Sequence, residues 1–402
     1  MKKLSALLLA ALLALSACGG GAQQSASTSE PAKESEATSS GAAASGDVIK
    51  IGYVGALSGE TALWGQAGLN GMKMAADDIN AAGGLLGKQV EIVGYDGKGD
   101  PMDSVNALNK LVTDDVVAVV GTNFSSCNIP MAEIADANKL PLIATAASSP
   151  LVTVGEDGKL HPYSFRIGFT DPYQGKVLAA YAVNKLEAKK GAILTNIADS
   201  YSTGIKQYLV EEYTKLGGEI VADESASSGD QDFRSQLSKI KEANPDVLFL
   251  PWIYKDVALI TGQARELGIE CVFLGADGWD SQDLPELAKG SVEGSYFCSR
   301  TGFNTPEAKE FKDRYEKEYK ITAEAECLFG YDGVMWIKQV IEQKNSAERD
   351  AIREGLEGTA EFKGLLGTMA VDPATHDPAR DAAIFKISGA TIEFIEVYNP
   401  AN

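Results

Sequence analysis

The sequence predicts an α/β protein with two sheets of parallel strands. Three observations predict it: short β-branched runs alternate with amphipathic segments, the alternation starts again near residue 190, and 45% of the 402 residues are hydrophobic. Strands that alternate with single helices join through right-handed crossovers and form a parallel sheet covered on both faces. A chain of this length is typically divided into two domains.

The first series of elements covers residues 48–147. Its strands are predicted in VIKIGYVGAL, QVEIVGYD, VVAVVGT and LPLIATAA. Its helices are predicted over residues 66–82, 102–112 and 127–138, where apolar residues recur at helical spacing. Gly83 and Gly84 end the first helix.

The second series covers residues 191–300. Its strands are predicted in GAILTN, EIVADESA, DVLFLPWI, CVFLGADG and GSYFCSR, and its helices over residues 201–216, 231–243 and 256–267. This series predicts a second α/β sheet of similar size.

Three helices without strands between them follow, over residues 306–319, 329–343 and 347–356. Helices without partner strands must cover an existing sheet, most simply the first. The tail AAIFKISGATIEFIEVYN predicts a hairpin that turns at Gly389. The chain is therefore expected to cross between the two domains more than once.

The N-terminus MKKLSALLLAALLALSAC has the layout of a secretory signal, because two lysines precede an apolar run too short to span a bilayer. Leu15 to Cys18 resemble the lipobox of bacterial lipoproteins, which predicts a signal peptide over residues 1–17 and a lipidated Cys18. Two acyl chains on Cys18 would anchor the protein stably to the outer side of the bacterial cell membrane. A plain secretory signal with an incidental cysteine is the alternative. Residues 18–46 include no aromatic or large aliphatic residue and are predicted to form a flexible tether.

Composition and motifs exclude several classes of function. The formal net charge of -20 argues against a nucleic-acid partner. We find no Walker A, G-x-S-x-G or H-E-x-x-H motif, and the glycines of GYVGALSG lack dinucleotide-binding spacing. His161 and His376 lie in proline-containing loops, so we expect no catalytic residues, no metal and no cofactor. The four later cysteines form no C-x-x-C pair and are compatible with disulfides or with free thiols.

Five stretches carry a resemblance to a known family: the long run IGYVGALSGETALWGQAGLNGMKMAADDINAAGGLLGKQVEIVGYDGKGDP, then VVGTNFSS, LPLIATAASSP, FRIGFTDPYQGKVLAAY and FLGADGW. In this order they resemble the type I periplasmic-binding-protein fold, and more closely the substrate-binding lipoproteins of branched-chain amino acid ABC transporters. The resemblance implies two Rossmann-like lobes with parallel central sheets, joined by a multi-strand hinge around a buried ligand. It assigns residues 48–166 with 299–378 to the first lobe and 167–298 with 379–402 to the second.

The resemblance also implies where the carboxylate of an amino acid ligand binds. Ser125 in GTNFSS and the segment Ala146, Ala147 and Ser148 in TAASSP match the positions that hold it. A predicted helix begins beside Ser125, and the exposed N–H groups and positive dipole end of such a helix suit an anion. Alternatively, Ser125 caps that helix.

Asp277 in LGADG matches the acidic position that pairs with the ligand's ammonium group; otherwise it is a loop aspartate that bonds its own backbone.

Two aromatic residues match positions that contact the ligand in the family: Trp64, predicted in a loop before the first helix, and Tyr201. The alternative for each is packing in the core. Trp252 or Tyr254 is a further candidate. A known family member carries glutamate at the Asp277 position, and a disulfide where this chain has Gly99 and Phe124.

These features together predict a monomeric, extracytoplasmic substrate-binding component of an ABC importer. We expect it to bind an amino acid with a branched or other aliphatic side chain and to deliver it to the permease subunits. The alternative is a receptor or sensor for another small carboxylate or amide on the same fold.

Overall fold

The structure is a computed structural model that describes residues 48–300 and 302–400. The predicted signal peptide, the lipidated Cys18 and the tether lie outside the described residues. In the part that is described, none of the helices combines the length and apolar character needed to cross a bilayer.

The first sheet has five parallel strands in the order β2-β1-β3-β4-β5. These are β1 (Ile49–Gly55), β2 (Val90–Asp96), β3 (Ala118–Val120), β4 (Leu142–Ala144) and β5 (Ser164–Arg166). The helices α1 (Ala62–Ala81), α2 (Pro101–Thr113) and α3 (Ser125–Ala137) connect the first four strands. The strands β3 and β4 are buried throughout, as expected for central strands covered on both faces.

The second sheet begins with five parallel strands and their helices. The elements are α4 (Asp171–Asn184), β6 (Lys190–Asn196), α5 (Ser200–Lys215), β7 (Glu219–Ala226), α6 (Arg234–Ala243), β8 (Val247–Leu250), α7 (Tyr254–Glu266), β9 (Val272–Gly275), α8 (Leu284–Ala288) and β10 (Tyr296–Ser299). With these two sheets, the predicted α/β fold class is confirmed.

Three helices and a small sheet follow. They are α9 (Pro306–Tyr319), α10 (Glu326–Lys344), α11 (Arg349–Glu357), β11 (Phe362–Gly364), β12 (Gly367–Val371) and β13 (Pro378–Ala379). The apolar faces of α9, α10 and α11 share one core with strands of the first sheet. The predicted tail hairpin then adds β14 (Ala382–Ser388) and β15 (Thr391–Tyr398) antiparallel to the second sheet, whose order is β15-β14-β10-β9-β8-β6-β7.

The chain passes between the two sheets after Arg166, after Ser299 and after Ala379. These three passages are compatible with the predicted multi-strand hinge. The boundaries assigned to the two lobes stay a prediction.

Three helix starts differ from the sequence prediction by three residues or more, and one of them is α6, which begins at Arg234 rather than at residue 231. Helix α1 begins at Ala62 rather than at residue 66, so Trp64 lies in its first turn and not in a loop. Helix α10 begins at Glu326 rather than at residue 329. Periodicity locates the middle of a helix better than its first turn, because few apolar residues mark the start.

The sequence analysis missed the helices α4 and α8, the strand β5 and the sheet β11–β13. Nine of the fourteen residues of α4 are buried, so the helix has no polar face to produce an amphipathic pattern. The strands β11–β13 have two to five residues each, which is too short for a clear alternation.

The four described cysteines are free thiols, and three of them are buried.

Both histidines have structural contacts. His161 Nδ1 lies 2.7 Å from Asp136 Oδ2, and the His376 ring stacks on Phe165 with centroids 4.1 Å apart. Burial lowers the pKa of His376. Among the described residues, no group of three His, Cys, Asp or Glu side chains is arranged to hold a metal ion.

Helices α1 and α10 approach each other through glycines. A Cβ atom at Gly71 would lie 2.0 Å from the carbonyl oxygen of Cys327, and one at Gly330 would lie 2.0 Å from the carbonyl oxygen of Gly68. The backbones therefore meet at distances that only glycine permits.

We predict that Gly330→Ala lowers the free energy of unfolding by about 1–3 kcal/mol, because the added methyl group forces the two helices apart. Alanine alone would favour a helix by about 1 kcal/mol. Gly262→Ala in α7 is the matched control, because a Cβ there meets nothing within 4 Å. This control should be neutral or stabilising in urea unfolding, and equal effects of the two substitutions would contradict the account.

Candidate functional site

A cavity lies among the segments that follow the carboxyl ends of the parallel strands in both sheets, the usual place for ligands in α/β folds. It has about 510 Å³ of space not filled by protein atoms, part of it open to solvent. Helices α1 and α10 complete the wall. The lining residues are Trp64, Asn123, Phe124, Ser125, Ala146, Asp199, Tyr201, Ile253, Asp277, Gly278, Asp280, Arg300, Ala325, Glu326 and Phe329.

Five of the predicted site residues line this cavity together: Trp64, Ser125, Ala146, Tyr201 and Asp277. Ala147 and Ser148 do not line it. Both are buried behind the wall, with exposed fractions of 1% and 0%. Cys18, predicted as the lipidation site, lies outside the described residues.

Ser125 is held by the loop that follows β4. Its Oγ accepts hydrogen bonds from the backbone N–H groups of Ser148 and Ser149, at 3.2 and 3.1 Å. It does not cap α3, whose N-cap is Phe124 without a side-chain bond. These two N–H groups use the lone pairs of Oγ, so the hydroxyl proton of Ser125 is still available for donation. Ser125 can therefore present an O–H donor to an anion in the cavity, beside the positive end of α3.

The buried Arg166 fixes the loop behind Ser125. Its guanidinium donates to the carbonyl oxygens of Ala147 and Ser149, at 2.7 and 2.8 Å, and pairs with Asp377 Oδ1 at 2.7 Å. The carbonyl oxygens of Ala147 and Ser149 therefore have their hydrogen-bond partner behind the cavity wall. Ala147 and Ser148 belong to the loop that holds Ser125 and do not face the cavity.

On the second-sheet side, Tyr201 and Asp277 belong to one hydrogen-bonded cluster. The Tyr201 hydroxyl accepts from the Gly278 N–H at 2.8 Å, and the Asp277 N–H donates to Gln174 Oε1 at 3.1 Å. Asp199 caps α5 through the Tyr201 N–H at 3.2 Å. Burial raises the pKa of Tyr201 well above its usual value, so its hydroxyl stays protonated.

Asp277 has a partner that the sequence analysis did not predict. Its Oδ2 lies 2.7 Å from Arg300 Nη2, and both side chains are less than 10% exposed. Arg300 also donates to the carbonyl oxygen of Ala146 at 3.0 Å. Its guanidinium carbon lies 4.9 and 4.6 Å from the ring centroids of Phe169 and Phe329. The arginine therefore links a wall residue of the first-sheet side to one of the second.

Trp64 forms the aromatic part of the wall. Its ring lies 6.4 Å from that of Phe124 and 4.9 Å from that of Tyr254, measured between centroids. Tyr254 itself does not line the cavity, and neither does Trp252, whose Nε1 donates to the carbonyl oxygen of Leu194 at 2.8 Å. The Trp64 Nε1 is buried and has no hydrogen-bond partner among the described residues.

The cavity wall has more acids than bases. Asp199, Asp277, Asp280 and Glu326 face one guanidinium, that of Arg300. Burial raises the pKa of Asp280 to about 6 and raises that of Glu326 well above its usual value. An acidic cavity favours a ligand that brings positive charge or hydrogen-bond donors.

Sequence reasoning missed Arg300, Glu326, Asn123 and Phe329. Arg300 ends the stretch GSYFCSR, so its place after a predicted parallel strand was a usable signal. Glu326 precedes residue 329, where its helix was predicted to begin, so periodicity gave no indication of the direction of its side chain.

The sequence matches the periplasmic binding protein family over residues 48–391. The chain belongs to this family. The resemblance inferred from the five sequence stretches is confirmed, and the chain is a solute-binding protein rather than an enzyme.

Curated relatives and solved structures agree with this assignment. The leucine-, isoleucine-, valine-, threonine- and alanine-binding protein of Pseudomonas aeruginosa is 27% identical over 81% of this chain and 86% of its own length. A leucine binding protein LivK of Thermotoga maritima is 30% identical, with a TM-score of 0.81 over 88% of this chain and 99% of that chain. A third similar protein is the branched-chain amino acid transporter substrate binding protein LivJ of Streptococcus pneumoniae, in complex with isoleucine. It is 31% identical, with a TM-score of 0.78 over 87% of this chain and 99% of that chain.

We predict that Ser125→Ala lowers the free energy of unfolding by about 1–3 kcal/mol, because two buried N–H groups lose their acceptor. Ser238→Ala is the control, since that exposed hydroxyl donates only to the carbonyl oxygen of Arg234 in its own helix. Its effect should stay within about 0.5 kcal/mol. Indistinguishable urea midpoints for the two variants would contradict this role of Ser125.

Proposed function

We propose that this protein is the substrate-binding component of an ABC importer and that it binds an amino acid in the cavity between the two sheets. The observation that carries the proposal is the combination of a hydroxyl donor at a helix N-terminus, Ser125, with an acidic wall around Asp277. The names of the relatives support it, because they are binding proteins for leucine and related amino acids.

In the proposed complex the ligand's carboxylate accepts from the Ser125 hydroxyl and from free N–H groups of the first turn of α3. The ammonium group lies against Asp277 and its acidic neighbours. Both charges of the zwitterion must be paired, because an unpaired buried ion costs several kcal/mol. Ala146 and Tyr201 complete the polar end, and Trp64, Phe124 and Phe329 surround the side chain.

The aromatic wall is suited to an aliphatic side chain, the class expected from the sequence. Fully burying such a side chain contributes about 1.5–3 kcal/mol. In the proposed mechanism only the closed form completes contacts from both sheets, so ligand binding favours closure. The permease then distinguishes the closed protein from the empty one. A lipid anchor at Cys18 would keep the monomer on the outer face of the membrane, at high effective concentration near its permease.

The ion pair between Asp277 and Arg300 favours a second candidate function. If the pair persists with the ligand bound, Asp277 is not free for an ammonium group, and Arg300 can bind an anion instead. A receptor or sensor for a small carboxylate or amide would fit that arrangement.

We predict that thermal unfolding in a screen of the twenty amino acids is shifted upward by at least one of them, since a ligand at a hundred times its Kd stabilises by about 2.7 kcal/mol. Asp277→Ala should weaken that binding about a hundredfold or more, because it removes the counter-charge. Uptake of the same amino acid by cells that lack the protein should return with the wild type and not with the variant.

Asp223→Ala is the matched control, because this exposed carboxylate pairs only with Lys206 on the surface and should bind like the wild type. Asp277→Asn, which preserves the shape of the side chain, tests for misfolding through its melting temperature without ligand. Undiminished amino acid affinity in both Asp277 variants would refute the assignment. Stabilisation by small carboxylates but by no amino acid would support the second candidate.

We also predict that ligand binding changes the intrinsic tryptophan fluorescence and that Trp64→Phe removes the change. Trp64 is the one tryptophan in the cavity wall, whereas Trp252, Trp279 and Trp336 are buried elsewhere. Trp336→Phe should preserve the signal. The titration uses the amino acid that stabilises the protein most in the screen, and an undiminished change in Trp64→Phe would contradict the proposed position of the ligand.

A further inference from the structure

Glu326 is a buried side chain in the cavity wall, and only one of its two carboxyl oxygens has a hydrogen-bond partner among the described residues. It begins α10, is 7% exposed, and accepts from Asn123 Nδ2 at 3.1 Å through Oε1. The other oxygen, Oε2, is buried and has no hydrogen-bond partner among the described residues. An unpartnered buried oxygen is energetically unfavourable, so it marks a place where a ligand atom can bind.

None of the described residues donates a hydrogen bond to Oε2 of Glu326. Burial and the neighbouring carboxyl groups of Glu324 and Asp280 raise the pKa of Glu326 well above its usual value. Arg300, which pairs with Asp277 and donates to the carbonyl oxygen of Ala146, makes no hydrogen bond to Oε2. The raised pKa keeps Glu326 protonated while the cavity is empty, and a donor on a bound ligand would stabilise the ionised form, in which Oε2 is an acceptor.

The rest of this part of the wall is apolar. Ile253, Phe124, Phe329 and the ring of Trp64 line the cavity there, on elements other than those that carry Asp277 and Tyr201. Phe329 lies one turn after Glu326 on α10, and α10 packs closely against α1, which carries Trp64. Glu326 thus belongs to the aromatic side of the cavity, where the side chain of the ligand is proposed to lie.

We propose that Glu326 determines the specificity of the cavity by accepting a hydrogen bond from the side chain of the bound amino acid. The preferred ligand then has an apolar stem that ends in a hydroxyl, an amide N–H or an ammonium group. This inference rests on the proposed function, because it assumes an amino acid in the cavity, and it narrows the substrate class beyond aliphatic side chains.

The physical reason is an asymmetry of recognition. Leucine, isoleucine and valine would bury Oε2 against hydrocarbon and leave it unpaired. A site built to pair with a polar group discriminates strongly against analogues that lack it, because its own buried atom then stays unpaired. Threonine, glutamine and lysine each present one of the three donor types.

The test measures the dissociation constants of threonine, glutamine, lysine, leucine, isoleucine and valine by calorimetry on the purified full chain. Wild type should bind at least one of the first three more tightly than any of the last three. Glu326→Leu should weaken binding of that polar ligand about tenfold or more, because the ligand's buried donor loses its acceptor, and should bind leucine as tightly as before or more tightly. Which of the three binds identifies the donor.

Glu326→Gln is a second variant that keeps the test decisive if Glu326→Leu does not fold. If Asn123 keeps its hydrogen bond to the side-chain oxygen, the amide nitrogen of Gln takes the place of Oε2. The amide N–H then faces the donor of the ligand and cannot accept from it. The polar ligand should again bind about tenfold more weakly. Glu342→Gln, an exposed acid on the same helix, should leave every affinity unchanged.

Tightest binding of leucine, isoleucine or valine by the wild type would overturn the inference and leave the proposed function intact. So would an equal loss for all six ligands in both Glu326 variants, which indicates a structural role. Binding of no amino acid at all would overturn the inference and the proposed function together.

Discussion

The pairing of charges inside a closed cavity is the constraint on which the rest of the site depends. Arg300 is the single cation among its lining residues, and it is shared between Asp277 and the carbonyl oxygen of Ala146. The ion pair lies where the chain passes from the second sheet back to α9, so it joins wall residues from both sheets. A buried ion pair contributes little net stability, but an incoming charge must match it or displace it. The acids around it decide which charges are admitted.

The fold positions the cavity wall through contacts that lie behind it. Arg166 binds the loop after β4 from behind, and that loop positions Ser125. The glycine contacts between α1 and α10 bring Trp64 and Glu326, which lie on different helices, to one wall. Glu326 Oε2 and the Trp64 Nε1 have no hydrogen-bond partner among the described residues, and both side chains belong to the cavity wall.

Much of the fold was predictable because alternating strands and amphipathic helices are local patterns. The positions of Ser125, Ala146, Tyr201 and Asp277 at one cavity follow from their places after strands, since the carboxyl ends of parallel strands meet at the same edge of a sheet. Arg300 also follows a predicted strand, but its pairing with Asp277 depends on β10 lying next to β9 in the sheet, and the sequence does not show which strands are neighbours. The helix α4 lacked a pattern because it is buried on most sides.

The central claim is that the cavity binds the ligand's carboxylate at Ser125 and its ammonium group at Asp277. A crystal structure of the protein with its most stabilising amino acid tests this most directly. The account predicts the ligand's carboxylate within hydrogen-bond distance of Ser125 Oγ and its ammonium nitrogen within hydrogen-bond distance of Asp277. A carboxylate bound to Arg300, with Asp277 directed away from the ligand's nitrogen, would contradict it.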